Sequence, residues 1–268
     1  MIHPEIQEIV RLALTEDIGS GDVTTNLCVP QGALATGRMV AREPLTLAGV
    51  ELLELVFHGC AVELKHVSGA RLEPGAEIAV VRGAARALLT AERVALNFVQ
   101  RLSGVATLAS AYVRAVEGTG CTVLDTRKTT PGLRRLEKLA VVAGGATNHR
   151  AGLYDAVLIK NNHIAAAGGV QAALERTRAA GLPVEIEVRT REELDQAVAG
   201  GAKHLLLDNL SPAEARQWVA HIGGRAKVEI SGGITLDTVR AYAEAGANYV
   251  SIGEMTHSAK AVDINFRL

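Results

Sequence analysis

The sequence predicts an α/β protein, with an N-terminal α+β, sandwich-like domain followed by an incomplete, roughly six-stranded parallel β/α barrel. Three observations lead there. Aromatic residues are only 3% of a chain that is 48% hydrophobic, so the core is built from Ala, Val, Leu and Ile, as short buried strands against Ala-rich helices require. The second half alternates short apolar runs with helical patterns, the rhythm of parallel β-structure with helices outside it. A complete eightfold barrel takes about 250 residues, whereas 148 follow Gly120.

The first residues, MIHPEIQEIVRLALTEDIGSG, are spaced like one helix face. Pro4 and Glu5 stand where a leader peptide would be basic, so no leader is expected. GSGDVTT at 19–25 superficially resembles a dinucleotide loop. It follows a helix rather than a strand and lacks the third glycine, so a turn held by Asp22 or Thr24 is expected instead. GRMVAREPLTLAG and AVELKHVSGARLEPGAEIAVVRG read as strands with turns at Ser68-Gly69 and Pro74-Gly75. A long helical stretch from AARALLT to AVEG leads out of this region. The expected domains are 1–110 and 111–268, with the closing VDINFRL strand-like and able to return to the first domain.

Six apolar runs supply the barrel strands: CTVLD (121–125), AVLIK (156–160), VEIEV (184–188), HLLLD (204–208), KVEIS (227–231) and YVSIG (249–253). Gly often closes the helical patterns between them, as at a C-cap. The last residues of the runs include Asp125, Lys160, Glu187, Asp208, Ser231 and Gly253. In parallel barrels the C-terminal strand ends carry the chemistry, because the βα loops converge there. Proximity to solvent is the plainer explanation for any single polar end.

Charge excludes some classes of function. A formal net charge of −1 argues against a general nucleic-acid binder, and the scarcity of aromatics against a base-stacking platform. No run is long and apolar enough to span a membrane. Cys28, Cys60 and Cys121 are odd in number and lack ligand spacing, as reduced thiols of a cytoplasmic protein would be. Against this neutral background, residues 125–164 hold seven Lys and Arg side chains and only three Asp and Glu. An anionic ligand is the natural reason.

Each candidate has alternatives. SGGIT at 231–235 ends a strand, and its glycines would let backbone N–H groups approach an anion at a helix N-terminus; SIGEMTHS at 251–258 repeats the arrangement. Lys160 suits either a Schiff base or a fixed cation, in the company of Arg127, Lys128 and Arg150. His149 suits a hydrogen-bonding or a structural role. Glu187 and Asp208 suit ion pairs, sugar hydroxyls or a hard metal ion such as Mg²⁺. Arg134, Arg135 and Lys138 are expected on a solvated helix face. Arg93, Asn97, Gln100 and Arg101 are spaced as one polar stripe on an apolar helix.

DTRKTTPGLR, then GG.TNHR.GLYDA.LIK.NHI, then SGGI and THS resemble the quinolinate phosphoribosyltransferases, the decarboxylating nicotinate-nucleotide pyrophosphorylases. EDIGSGDVTT, VARE, LLTAERVALNFVQRLSGVAT and LLLDN extend the likeness over nearly the whole chain. One departure is Gly144-Gly145-Ala146, where the family commonly has three glycines. The resemblance implies a pentosyltransferase of NAD biosynthesis, in which quinolinate and phosphoribosyl pyrophosphate give nicotinate mononucleotide, pyrophosphate and CO₂. It implies catalytic roles for Lys128, Lys160, Glu187 and Asp208, with Mg²⁺ held by Glu187 and Asp208 partly through substrate. It implies substrate binding by Arg127, His149, Arg150, Ser231, Gly232 and Gly253. It also implies a homodimer whose sites are shared, Arg93 reaching the other chain. Rival readings are a molybdenum-operon sister transferase of uncertain substrate, a Schiff-base aldolase built on Lys160, and a non-catalytic anion-binding module.

Overall fold

A computed structural model describes residues 3–268. The chain divides into two compact units, one of residues 1–110, 129–145 and 255–268, the other of residues 111–128 and 146–254.

The first unit opens with helix α1 (Pro4–Ile18), started by Pro4 and capped by His3, whose Nδ1 accepts the Glu5 N–H. Asp22 caps α2 (Val23–Cys28), accepting from Thr25 N at 2.9 Å, so GSGDVTT is a turn into a helix as expected. Strands β1 (Leu34–Ala41), β3 (Ala61–Leu64) and β5 (Glu77–Ala84) form an antiparallel sheet, beside a small pair β2 (Leu45–Thr46) and β4 (Arg71–Leu72). A short helical segment, Val50–Leu52 and α3 (Leu53–Val56), joins β2 to β3. The 31-residue helix α4 (Ala85–Ala115) buries Leu88, Ala91, Ala95, Val99, Leu102, Val105, Ala106, Ala109 and Tyr112, the i, i+3, i+4 face of an amphipathic helix.

Two later segments belong to this unit. Helix α5 (Arg134–Ala143), expected with the barrel, groups here. It approaches α4 so closely that a Cβ on Gly144 would stand 2.5 Å from Ala106 O. The closing strand β12 (Ile264–Arg267) joins the sheet, whose order is β12-β1-β5-β3.

Two expectations about side chains here need correction. Lys138 is not on a solvated face: it is buried, as is its neighbour Glu137. Arg134 is half-buried and donates to Thr129 Oγ1 at 3.0 Å, while Arg135 pairs with Glu5 at 2.6 Å. The polar stripe on α4 also divides. Arg93 and Asn97 are exposed, but Gln100 donates to Ile264 O at 2.8 Å and Arg101 binds Glu137 at 2.7 Å. Glu137 is fully buried and accepts further bonds from Thr130 N and Oγ1. Arg101 also donates to Ala259 O and Thr256 O, so it fastens the returning C-terminal segment.

The second unit carries six parallel strands, as the sequence predicts: β6 (Thr122–Leu124), β7 (Val157–Ile159), β8 (Val184–Val188), β9 (His204–Asp208), β10 (Lys227–Ser231) and β11 (Tyr249–Ser251). Their order is β6-β11-β10-β9-β8-β7, so β6 and β7 are the two edges of a barrel that does not close. Thr147 bridges Leu124 on the outer edge of β6. Helices α6 (Asn161–Ala167), α7 (Val170–Thr177), α8 (Arg191–Ala199), α9 (Pro212–Ile222) and α10 (Val239–Glu244) follow the strands, and α11 (Glu254–His257) begins as the chain leaves the unit.

The strand register sorts side chains into two faces. Ile186, Leu205, Val228 and, one pleat on, Val188, Leu207, Ile230 and Val250 lie across from one another and are buried. The alternate residues form the other face: Glu187 beside Leu206 beside Glu229, and Asp208 beside Ser231. That polar face is where the site lies.

Candidate active site

The site begins where β7 to β10 end. Lys160 follows β7, and its backbone N–H donates to His163 Nδ1 at 2.9 Å as α6 starts. Its Nζ lies 3.3 Å from Glu187 Oε2, and Arg189 lies 3.4 Å from Glu187 Oε1. The carboxylate is 4% exposed and the ammonium 49%. A buried acid thus holds a cation that still reaches solvent, which suits a fixed cation better than an amine freed for covalent chemistry.

Asp208 ends β9. It accepts from Ser231 Oγ at 2.7 Å and from Asn209 Nδ2 at 2.7 Å. Asn209 has φ 58°, the sole non-glycine positive φ among the described residues. Asn tolerates that region better than most residues, and the turn lets its N–H reach Ser231 O at 2.9 Å. Gly232 then passes so near that a Cβ would stand 2.2 Å from Asn209 Oδ1. Asn209 was not singled out from sequence; its signal was the Asp-Asn pair closing an apolar run.

The SGGIT loop departs from expectation in one respect. Gly232 and Gly233 have φ of 94° and 63°, which no α-helical turn accepts. They form a turn, and α10 starts only at Val239. Gly253, by contrast, directly precedes α11. Ala146 has no positive φ and is 6% exposed. An alanine therefore fits there without backbone strain.

The segment before Arg150 is pinned along its length. Thr147 N donates to Val123 O at 2.9 Å, and Thr147 O accepts from Asp125 N at 3.1 Å. Asp125 is fully buried and accepts the His149 N–H at 2.7 Å. The His149 ring turns into the barrel, with Nε2 3.0 Å from Glu185 Oε2 and 3.5 Å from Glu229 Oε1, while Nδ1 accepts the Arg150 N–H at 2.7 Å. His204 Nε2 stands 3.4 Å and 3.6 Å from the other oxygens of these two glutamates. Glu185, Glu229 and His204 were not singled out from sequence either. The signal available was a carboxylate two residues before the polar residue near a strand end, as in Glu185-Ile186-Glu187 and Glu229-Ile230-Ser231.

Burial alone would strip a proton from His149, but its hydrogen bonds to Glu185 and Glu229, with their charge, outweigh burial and draw protons to the ring. Because Nδ1 accepts the Arg150 N–H, the proton that faces the glutamates is the one on Nε2. Burial raises the Glu185 pKa, and the nearby Glu229 charge adds to the rise. His149, Glu185 and Glu229 also offer ligand atoms within 4.8 Å of one another, but the Nε2 proton stands where a metal would bind.

Arg127 and Arg150 lie close enough to repel. Burial lowers the Arg150 pKa first, and the Arg127 charge lowers it further. Arg150 is held by Ala156 O at 3.2 Å. Lys128 follows Arg127 in the β6 loop, its N–H donating to Thr126 Oγ1 at 3.0 Å. Two guanidinium groups near enough to feel each other's charge suit a carboxylate or phosphate. Arg93 is on α4 of the first unit.

The family model described as "Quinolinate phosphoribosyl transferase, C-terminal domain" matches residues 105–267, and its N-terminal counterpart matches residues 22–103. The chain belongs to the quinolinate phosphoribosyl transferase family. The resemblance carried by its motifs is thereby borne out. It is 44% identical over 274 residues to a nicotinate-nucleotide pyrophosphorylase [carboxylating] of Mycobacterium leprae, covering 98% of this chain and 96% of that protein. It is 40% identical over 272 residues to a probable enzyme of the same description from Bacillus subtilis, covering 99% and 94%. Among solved structures, NadC from Streptococcus pyogenes matches with a TM-score of 0.94 at 38% identity, covering 100% of this chain and 98% of that one. The expected α/β architecture is that of this family. No helix among the described residues is long and apolar enough to cross a membrane.

Proposed function

We propose that this protein transfers the phosphoribosyl group of phosphoribosyl pyrophosphate to quinolinate with loss of CO₂, giving nicotinate mononucleotide and pyrophosphate. The observation that carries this is the set of strand-end charges on a family-typical barrel: Lys160 on Glu187, Asp208 on Ser231, and Arg127 beside Arg150. Both substrates are polyanions, and that face offers cations and hydroxyls to bind them and acids to hold a ribose.

The chain's own work is orientation and charge. Arg127 and Arg150 receive the quinolinate carboxylates and align the ring nitrogen. Ser231, Gly232 and Gly253 grip phosphate. Glu187 and Asp208 hold the ribose as positive charge develops on its anomeric carbon. Lys128 and Lys160 meet the negative charge that collects on departing pyrophosphate. The ring nitrogen bonds to the ribose carbon and becomes cationic; the adjacent carboxylate then leaves as CO₂, its electron pair stabilised by that N⁺ until a proton takes it.

Glu187 and Asp208 fit Mg²⁺. They are hard oxygen donors, too few for an all-protein cage but suited to an ion held mainly by substrate phosphates. When bound, Mg²⁺ supplies charge neutralisation at the pyrophosphate. We further propose a cytoplasmic homodimer in which the exposed Arg93 serves the partner's site. A twofold arrangement gives two equivalent composite sites, and three free thiols suit the compartment.

The test is turnover with release of CO₂ from the carboxylate next to the ring nitrogen, abolished by chelating Mg²⁺. Nicotinate used as efficiently as quinolinate would overturn the reading. For the shared site, Arg93→Ala and Lys128→Ala are each inactive, but refolded together in equal amounts they regain roughly a quarter of wild-type activity. Subunit exchange without recovery would place Arg93 in its own chain's service.

A further inference from the structure

We infer that Glu185 and Glu229 are positioning residues for this reaction: by holding the His149 ring at Nε2 they fix residues 147–150, and so set where the Arg150 guanidinium stands beside Arg127. The inference rests on the proposed function only for the substrate that Arg150 receives.

Arg127 and Arg150 repel one another before any anion arrives, and a repelled side chain on an edge segment drifts unless its backbone is held. Residues 147–150 are not part of a strand; Thr147 makes a single bridge to β6. The Asp125 carboxylate on His149 N and the barrel glutamates on His149 Nε2 help to hold the next two residues. The ring then accepts the Arg150 N–H at 2.7 Å. A chain of contacts therefore runs from Glu185 through the imidazole to the Arg150 backbone.

The two acids are placed for this. Glu185 is 5% and Glu229 1% exposed. Both point inward from mid-strand, too deep to meet a ligand at the strand ends. Their second oxygens, Glu185 Oε1 and Glu229 Oε2, face His204 Nε2 at 3.4 and 3.6 Å, and none of these three atoms makes a hydrogen bond of good geometry. Burying two carboxylates so incompletely satisfied is costly. A role through His149 gives a reason for keeping them.

The experiment compares Glu185→Ala with Glu185→Gln, which keeps an acceptor oxygen of the same reach. Three readouts are taken: KM for each substrate, the ¹⁵N spectrum of the His149 ring, and hydrogen exchange along the chain. Losing a hydrogen bond between buried partners of this kind costs on the order of tenfold in binding. Glu185→Ala should raise the quinolinate KM about tenfold and leave the phosphoribosyl pyrophosphate KM within about twofold. It should also shift the Nε2–H signal and speed exchange at Thr147, His149 and Arg150, while β8 to β10 stay protected. Glu185→Gln should restore most of the quinolinate KM. Equal changes in both KM values, or an unshifted quinolinate KM beside a rearranged ring, would overturn the inference. If the wild type does not turn over quinolinate, the proposed function falls; exchange and ring signals then decide the inference alone, and an undisturbed 147–150 segment in Glu185→Ala refutes it.

Discussion

Two carboxylates on β8 stand two residues apart on the same face, about 6–7 Å along the strand, and have different company. Glu187, at the strand end, meets Lys160 and Arg189, both about half exposed. Glu185, one pleat deeper, meets the imidazoles of His149 and His204. The same division repeats between Ser231, which donates to Asp208 at the end of β9, and Glu229, two residues before it on β10. What a polar residue does here is set by its depth in the strand more than by its type. The outer layer can exchange its partners for a ligand. The inner layer cannot, and serves the scaffold on which the outer layer stands.

The inner layer should therefore break first as stability. Glu229→Ala leaves His149 and His204 facing a cavity and one carboxylate. Leaving buried polar partners unsatisfied typically costs about 1–3 kcal/mol, and more where a charge is involved. Urea unfolding followed by circular dichroism should show a loss of this order at unchanged m-value. A loss below about 1 kcal/mol would mean that the inner layer is dispensable, and the comparison would lose its second half.

The outer layer should break as activity. Lys160→Ala removes a half-exposed cation whose place is at the developing charge. Turnover should fall on the order of a hundredfold or more, about 2.7 kcal/mol of transition-state stabilisation. The unfolding midpoint should stay near that of the wild type, because the residue buries little. A variant that loses stability and activity in equal measure would show Lys160 to be structural.

These layers differ also in how far the sequence revealed them. Strand ends were legible because a polar residue closing an apolar run marks where a buried strand meets its loop: four of the six runs end in Asp, Lys or Ser, and in a fifth Glu187 is next to last. The six strands and their helices were legible for the same reason of periodicity. Glu185 and Glu229 were not, because their meaning depends on a histidine far away in sequence, 36 residues from Glu185 and further from Glu229, that approaches along the edge of β6. Local pattern carries no record of such a partner. Lys138 was misplaced for a related reason. Its helix reads as amphipathic with a charged face, but the buried Glu137 collects Arg101 and Thr130 there and draws that face inward.

The smallest expected effect tests whether the inner layer carries charge at all. Cys121 lies at the foot of β6, and its thiol is pushed up to about 11, first by burial and then by the charge of Glu229. Only the thiolate reacts with alkylating reagents, so near pH 8 its reactive fraction is on the order of one in a thousand. Glu229→Gln keeps the side chain's shape and removes the charge. The sign follows directly: a nearby anion disfavours the thiolate, so removing it lowers the thiol pKa. Because burial is the larger cause, the gain should be modest, about two- to threefold in rate. Loosened packing would also speed the reaction, so the quantity to read is the midpoint of the pH–rate curve rather than the rate itself. Peptide mass spectrometry resolves Cys121 from Cys28, which is exposed and serves as the internal reference. A midpoint for Cys121 that moves down while that of Cys28 stays fixed means that Glu229 is ionised in the folded protein. An unmoved midpoint means that the acid is held as a neutral carboxyl, and the inner layer would then be a hydrogen-bonded cluster rather than a layer of charge.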